Sequence, residues 1–265
     1  MARLRMKMRT NWRAVYVVSA CIVVAAMTIS YCGAPCTIDM HQPTLPEFLS
    51  TCRWTQSLSA EELQRVADEI VEKPVPSSGY VCRKGEPVLH WIGVIDGLVK
   101  MSTLSAEGKL TTLTGVPSGG WFGEGSLLKD ELRKYDILAL RNSRIAYMPR
   151  ATFNRLLNTN LAFNRFLLVQ LNERLGLFIA LMENERLLEP DARVARSLGA
   201  LFNPVLYPGV GRQLQISQEE IGFLAGVSRQ RVNQALQVLE RAGLLKVEYG
   251  GVKVLDLGGL QQFGA

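Results

Sequence analysis

Ser217 to Leu245 reads SQEEIGFLAGVSRQRVNQALQVLERAGLL, two short amphipathic segments around a small-residue junction. Ile221, Leu224 and Ala225 give the first segment one apolar face, and Gly222 falls where two helices would cross. Gly226 supplies a residue that tolerates positive φ between them, and Val227 plugs the junction. In the second segment Val232, Ala235, Leu236 and Leu239 recur at helical spacing and face inward. Ser228, Arg229, Gln230, Arg231, Asn233 and Gln234 are left outward near its N-terminal end. Arg bridges two acceptors of guanine, and Gln or Asn bridges adenine. Ser228 suits the N-cap, where free amides favour a phosphate. The stretch predicts a helix-turn-helix whose second helix enters a DNA groove.

Whole-chain charge does not carry that reading. The 265 residues hold 30 Lys plus Arg against 24 Asp plus Glu. Five of the basic residues (Arg3, Arg5, Lys7, Arg9, Arg13) sit in the first thirteen positions, and removal of residues 1–39 leaves 25 against 23. Evidence for nucleic acid is therefore local. Five irregularly spaced cysteines do not suggest a disulfide framework. No nucleophile–base pair or metal-ligand constellation stands at usable spacing, so an enzyme is not expected.

Ala14 to Cys32 is nineteen residues without a charge, the length of a membrane span or signal-peptide core. Basic residues before it would hold the start inside the cell and send the rest outside. A groove-reading helix conflicts with that topology. The expectation is that translation starts at Met40 or Met27 and that the protein is cytoplasmic. A real anchor in the opposite orientation, or an exported protein, are the alternatives.

Residues 41–73 read as short helices. Leu45, Phe48 and Leu49 precede Trp54, and Ser59 with Glu62 offers a capping box before Leu63, Val66, Ala67 and Ile70. From 75 to 150 glycines recur every few residues, and short β-rich runs lie between them at 80–81, 88–94, 98–100 and 137–140. Many short strands with Gly turns predict an all-β sandwich or barrel. Within it Gly119–Leu128 reads GGWFGEGSLL. Its glycines would let amides approach a phosphate, and Glu124 would accept from a ribose hydroxyl.

A long helix is expected from Asn160 to Leu188, roughly 40 Å at about 1.5 Å per residue. Leu161, Asn164, Leu168, Leu171, Leu175, Phe178 and Met182 form a heptad seam for a second copy of the chain, with Asn164 fixing register. Leu167, Leu177 and Leu181 cover the β domain. Glu189-Pro190-Asp191 breaks the helix and is the expected hinge. A helix at 192–202 and a turn-rich connection lead to the helix-turn-helix. Residues 246–255 then read as two strands around Gly250-Gly251, a wing whose Tyr249 and Lys253 would touch phosphate.

A Gly-punctuated β-roll carrying Trp121-Phe-Gly-Glu-Gly-Ser-Leu-Leu128, a long helix and this helix-turn-helix resemble, in that order, the Crp/Fnr superfamily of bacterial transcription regulators. The resemblance covers about Leu45 to Phe263. It implies an α+β fold: an N-terminal β-roll (cupin-like) sensor domain, a long dimerisation helix and a C-terminal winged helix-turn-helix. The segments are a 1–40 extension, a 41–158 cyclic-nucleotide-binding-like β-roll, a 159–189 dimerisation helix and a 190–265 DNA-binding domain.

The effector pocket that the resemblance implies is Gly123, Glu124, Ser126, Arg133, Lys134, Tyr135 and Phe178. cAMP-responsive members pair Gly-Glu with a downstream Arg-Ser that grips the cyclic phosphate. Gly123-Glu124 matches, but Lys134-Tyr135 stands at the Arg-Ser positions, and Lys lacks the bidentate fork of Arg. Phe178 and Ile179 replace the small hydroxyl residues set against the purine. cAMP is therefore not the expected effector, whose identity stays open. The Fnr branch would need a tight N-terminal cysteine cluster. Cys32 and Cys36 with distant Cys52 and Cys82 have the wrong spacing for iron–sulfur, and haem on His41 or His90 is not expected.

The expected function is a homodimeric, sequence-specific regulator of double-stranded DNA, paired through residues 161–182, with RNA polymerase a further candidate partner. Arg229, Gln230 and Asn233 are assigned to bases, and Ser217, Ser228, Arg231 and Gln234 to the backbone. The family position that carries an acidic reader of cytosine is Gln230, so the half-site should differ. Competing classes are a nucleotide-binding module acting through a protein partner, and a membrane-anchored sensor.

Overall fold

The computed structural model describes residues 43–104 and 110–264; the apolar stretch 14–32, Met40, His41 and the first three cysteines lie outside them. The described residues belong to one compact unit. No helix among them is long and apolar enough to cross a membrane.

Two short helices, α1 (Leu45–Thr51) and α2 (Ala60–Glu69), flank a 3-10 turn at Arg53–Ser57. Both open with reciprocal capping boxes, Thr44 with Glu47 and Ser59 with Glu62. The turn buries Trp54, whose ring meets Trp91, Trp121 and Phe163 at centroid distances of 5.4–5.9 Å. Cys52 lies in the same cage and accepts from Trp121 Nε1 at 3.1 Å. Burial pushes its thiol up to about 12, so it stays protonated at neutral pH.

The β-roll is two four-stranded antiparallel sheets. One runs β1 (Val71–Val75), β8 (Ser143–Pro149), β3 (His90–Asp96), β6 (Trp121–Phe122); the other runs β2 (Tyr80–Cys82), β7 (Asp136–Ala139), β4 (Leu98–Leu104), β5 (Leu110–Pro117). Residues 71–73, expected to be helical, are strand. Tertiary pairing with β8 overrides the local pattern, and β1 is an edge strand, the place in a sheet where a Pro such as Pro74 is tolerated. Between β6 and β7 the GEGSLL segment forms α3 (Glu124–Lys129).

After α4 (Arg150–Thr159), Asn160 ends one helix and caps the next by accepting from Phe163 N at 2.9 Å. α5 (Leu161–Leu187) buries Phe163, Leu167, Gln170 and Arg174 toward the β-roll. Leu161, Leu168, Leu175 and Met182, seven residues apart, are exposed, as is Ile179. Asn164 does not join that stripe. Its amide donates to the carbonyls of Leu157 (2.5 Å) and Asn160 (3.0 Å), at the break between α4 and α5.

α6 (Pro190–Ala200) starts with Pro190 in its first turn. α7 (Gln218–Ala225) and α8 (Arg229–Arg241) follow, and β10 (Leu245–Glu248), β11 (Gly251–Val254) and β9 (Gln213–Leu214) make a three-stranded wing before α9 (Leu257–Gln262). Val194, Leu198, Ile221, Val232, Leu236, Leu239, Val252 and Leu260 build one core here.

Gly222 faces the turn and the start of α8, since a Cβ there would lie 2.9 Å from the Val227 carbonyl oxygen and 3.7 Å from Val232 Cγ2. Gly222→Val is expected to lower stability by about 1–3 kcal/mol through overpacking, read from the midpoint shift in urea unfolding.

Candidate nucleic-acid interface and effector pocket

Ser217 caps α7 by accepting from Glu220 N, while the Glu220 side chain accepts from Ser217 N. Gly226 ends α7 at φ 64°, the left-handed region that a glycine enters at little cost. Arg193 of α6 fixes this turn by donating to the carbonyls of Ala225 (2.8 Å) and Gly226 (3.4 Å). Ser228 caps α8, accepting from Arg231 N at 3.3 Å.

With Val232, Ala235, Leu236 and Leu239 buried, Ser228, Arg229, Gln230, Asn233 and Gln234 are exposed. Asn233 Oδ1 accepts from Gln218 Nε2 at 3.3 Å, which ties the start of α7 to the outer face of α8. Arg231 is only half-exposed and engages Asp191 and Gln234. In the wing Tyr249 and Lys253 are exposed.

The helix-turn-helix is docked on the β-roll. Arg141, between β7 and β8, grips Glu220 Oε1 with Nε (3.1 Å) and Nη2 (2.7 Å). Lys100 Nζ of β4 sits 3.9 Å from the Phe223 ring centroid. Burial of that ammonium lowers its pKa, partly opposed by Glu219. Leu224 packs where Gly115 of β5 has no side chain; a Cβ there would be 3.0 Å from Leu224 Cδ2. Buried Tyr207, from the link before α7, donates to the Gly115 carbonyl at 3.1 Å. A cleft of about 790 Å3 runs between Ser228 and Arg229 on one wall and Thr112 and Met182 on another.

Toward the effector region, Glu124 is buried and its Oε1 pairs with Arg174 Nε of α5 at 3.0 Å. Arg174 Nη2 and Gln170 Nε2 both donate to the Trp121 carbonyl. Glu124 Oε2 and Arg174 Nη1 are buried without hydrogen-bond partners.

Arg133 is buried and donates to the His90 carbonyl. Its Nη1 occupies the space over Gly123, where a Cβ would lie 2.6 Å away. Arg133 and Lys134 part company, because the Lys134 side chain is 62% exposed and pairs with Glu131 at 2.7 Å. Tyr135 and Phe178 pack against the β-roll core. Burial, with the Glu124 charge adding, pushes the Tyr135 phenol up to about 12. Ser126 is half-buried in α3, its carbonyl accepting from Glu131 N at 3.1 Å. Arg174, Arg141 and Arg193 have no role among the sequence-based expectations, and Asp191 has one only in the hinge; an arginine inside an apolar helical repeat is the available signal for Arg174.

A β-roll sensor joined by a long helix to a winged helix-turn-helix defines a DNA-binding transcription regulator. The cyclic nucleotide-binding domain family matches residues 72–160 and the Crp-like helix-turn-helix domain family matches residues 192–263. The chain belongs to the Crp/Fnr superfamily. It is 29% identical over 213 residues to the cAMP-activated global transcriptional regulator CRP of Pasteurella multocida, spanning 79% of this chain and 93% of that one. To the transcriptional regulator SdrP of Thermus thermophilus it is 30% identical over 173 residues, 64% of this chain and 81% of that one. FixK2 of Bradyrhizobium japonicum shares the fold at 18% identity, with a TM-score of 0.62 and coverage of 74% and 98%.

Removal of one partner of the Glu124–Arg174 pair strands the other charge in the interior. Glu124→Ala is expected to cost about 3–5 kcal/mol in chemical denaturation.

Proposed function

We propose that this regulator works in the cytoplasm as a homodimer and reads a palindromic site, one α8 in each of two successive major grooves. The observation that carries the reading is the division of α8 into a buried apolar side and an exposed polar N-terminal side. Exposed leucines on α5 at seven-residue spacing support a twofold partner along residues 161–182. Arg229, Gln230 and Asn233 meet base edges, and Ser217, Ser228 and Gln234 follow the phosphate backbone, while Arg231, expected on the backbone, is held back by Asp191. A dimer of this kind places its half-sites about 34–36 Å apart.

In the β-roll, Gly123, Glu124, Ser126, Arg133, Tyr135 and Phe178 border the effector region. The Tyr135 and Phe178 rings take up core volume there, and Lys134 is turned to solvent. These features favour an effector other than cAMP, or none.

Selection of bound duplexes from a random pool, with and without cyclic nucleotides, is expected to enrich a palindrome that cAMP does not alter. Enrichment of no palindrome under any condition contradicts the reading. At the selected site Arg229→Ala is expected to cost about 1–3 kcal/mol, with much less lost on random DNA; equal loss on both would remove its base-reading role.

A further inference from the structure

Arg231 stands on the polar side of α8, yet its guanidinium is held back against the protein. Nη2 lies 3.0 Å from Oδ1 of Asp191, and Nη1 donates to Gln234 Oε1 at 3.0 Å. Asp191 is the second residue of α6, directly after Pro190. Its side chain is 23% exposed and that of Arg231 35%, so water and salt screen this pair less than an open surface one. The contact with Asp191 is ionic rather than an aligned hydrogen bond. The neighbouring Arg193 is committed to the Ala225 and Gly226 carbonyls, which leaves Arg231 as the cation this carboxylate neutralises.

A cation that meets phosphate releases counterions whatever the base sequence, whereas base contacts discriminate. An arginine already paired with a carboxylate adds little to the first effect. We propose that Asp191 limits the sequence-independent part of DNA affinity. By holding Arg231 it withdraws one phosphate contact per protomer from binding to any DNA, so that at a given protein concentration only sites that also engage Arg229, Gln230 and Asn233 are occupied. This rests on the reading of α8 as the groove-facing helix.

The test measures affinity for random duplex DNA and for the selected site across a salt series. It uses the full-length protein, Asp191→Asn, Arg231→Gln and the double variant. Asp191→Asn is expected to steepen the slope of log affinity against log salt by about 0.9 per protomer. One further counterion released tightens binding roughly eightfold per half-site near ~0.1 M salt on random and selected duplex alike, so random DNA is held at protein concentrations where the wild type occupies only the selected site. Arg231→Gln should leave the slope unchanged, and Asp191→Asn should do nothing in its background. Asp191→Ser carries the same expectation if the Asn variant unfolds.

An unchanged slope in Asp191→Asn overturns the proposal. So does an equal gain in the Arg231→Gln background, which would mark simple removal of negative charge. A wild-type protein that binds neither DNA would instead overturn the reading of α8, and this inference with it.

Discussion

One oxygen of the Glu220 carboxylate accepts the amide of Ser217 and closes the start of α7, while the other is gripped by two nitrogens of Arg141 on the β-roll. The group that begins the first helix of the DNA-binding unit is thus also the group the sensor domain holds. An N-cap of this kind contributes about 0.5–2 kcal/mol, and a charge so little exposed is costly without its partner. The contact is backed by the Phe223 ring under Lys100 and by Leu224 against Gly115. Displacement of the turn between β7 and β8 would therefore act directly on α7. From there Gly226, Arg193 and the Ser228 cap carry the constraint to α8.

The same economy appears on the other side of the β-roll. Glu124, at the start of α3, pairs with Arg174 in the middle of α5, so the glycine-rich motif is fastened to the long helix by charge as well as by apolar packing. The opposite face of α5 leaves Leu161, Leu168, Leu175 and Met182 uncovered. Events at the β-roll and at that stripe thus meet on one continuous helix, which ends at Leu187 shortly before Pro190 opens α6.

Much of this was legible in the amino-acid order. The junction Gly222–Val227 is readable because close crossing and positive φ each demand glycine. The period of α8 is readable because its buried and polar residues differ sharply. Strand β1 was not, since Val71–Val75 holds a Pro and two charges and becomes a strand only by pairing with β8. Asn164 was assigned to a seam by spacing alone, and the nearby break at Asn160 claims its amide instead. The long-range contacts, Arg141 with Glu220 between the β-roll and the helix-turn-helix and Asp191 with Arg231 within the DNA-binding domain, link residues 79 and 40 positions apart. Spacing rules of helices and strands do not reach that far.

Two copies of α8 are expected to read one duplex. Hydroxyl-radical footprinting of the wild-type protein on its selected site tests this most directly. The account predicts two protected patches related by a twofold axis, with centres about 34–36 Å apart. A single asymmetric patch, or protection that moves freely along the duplex, would contradict it.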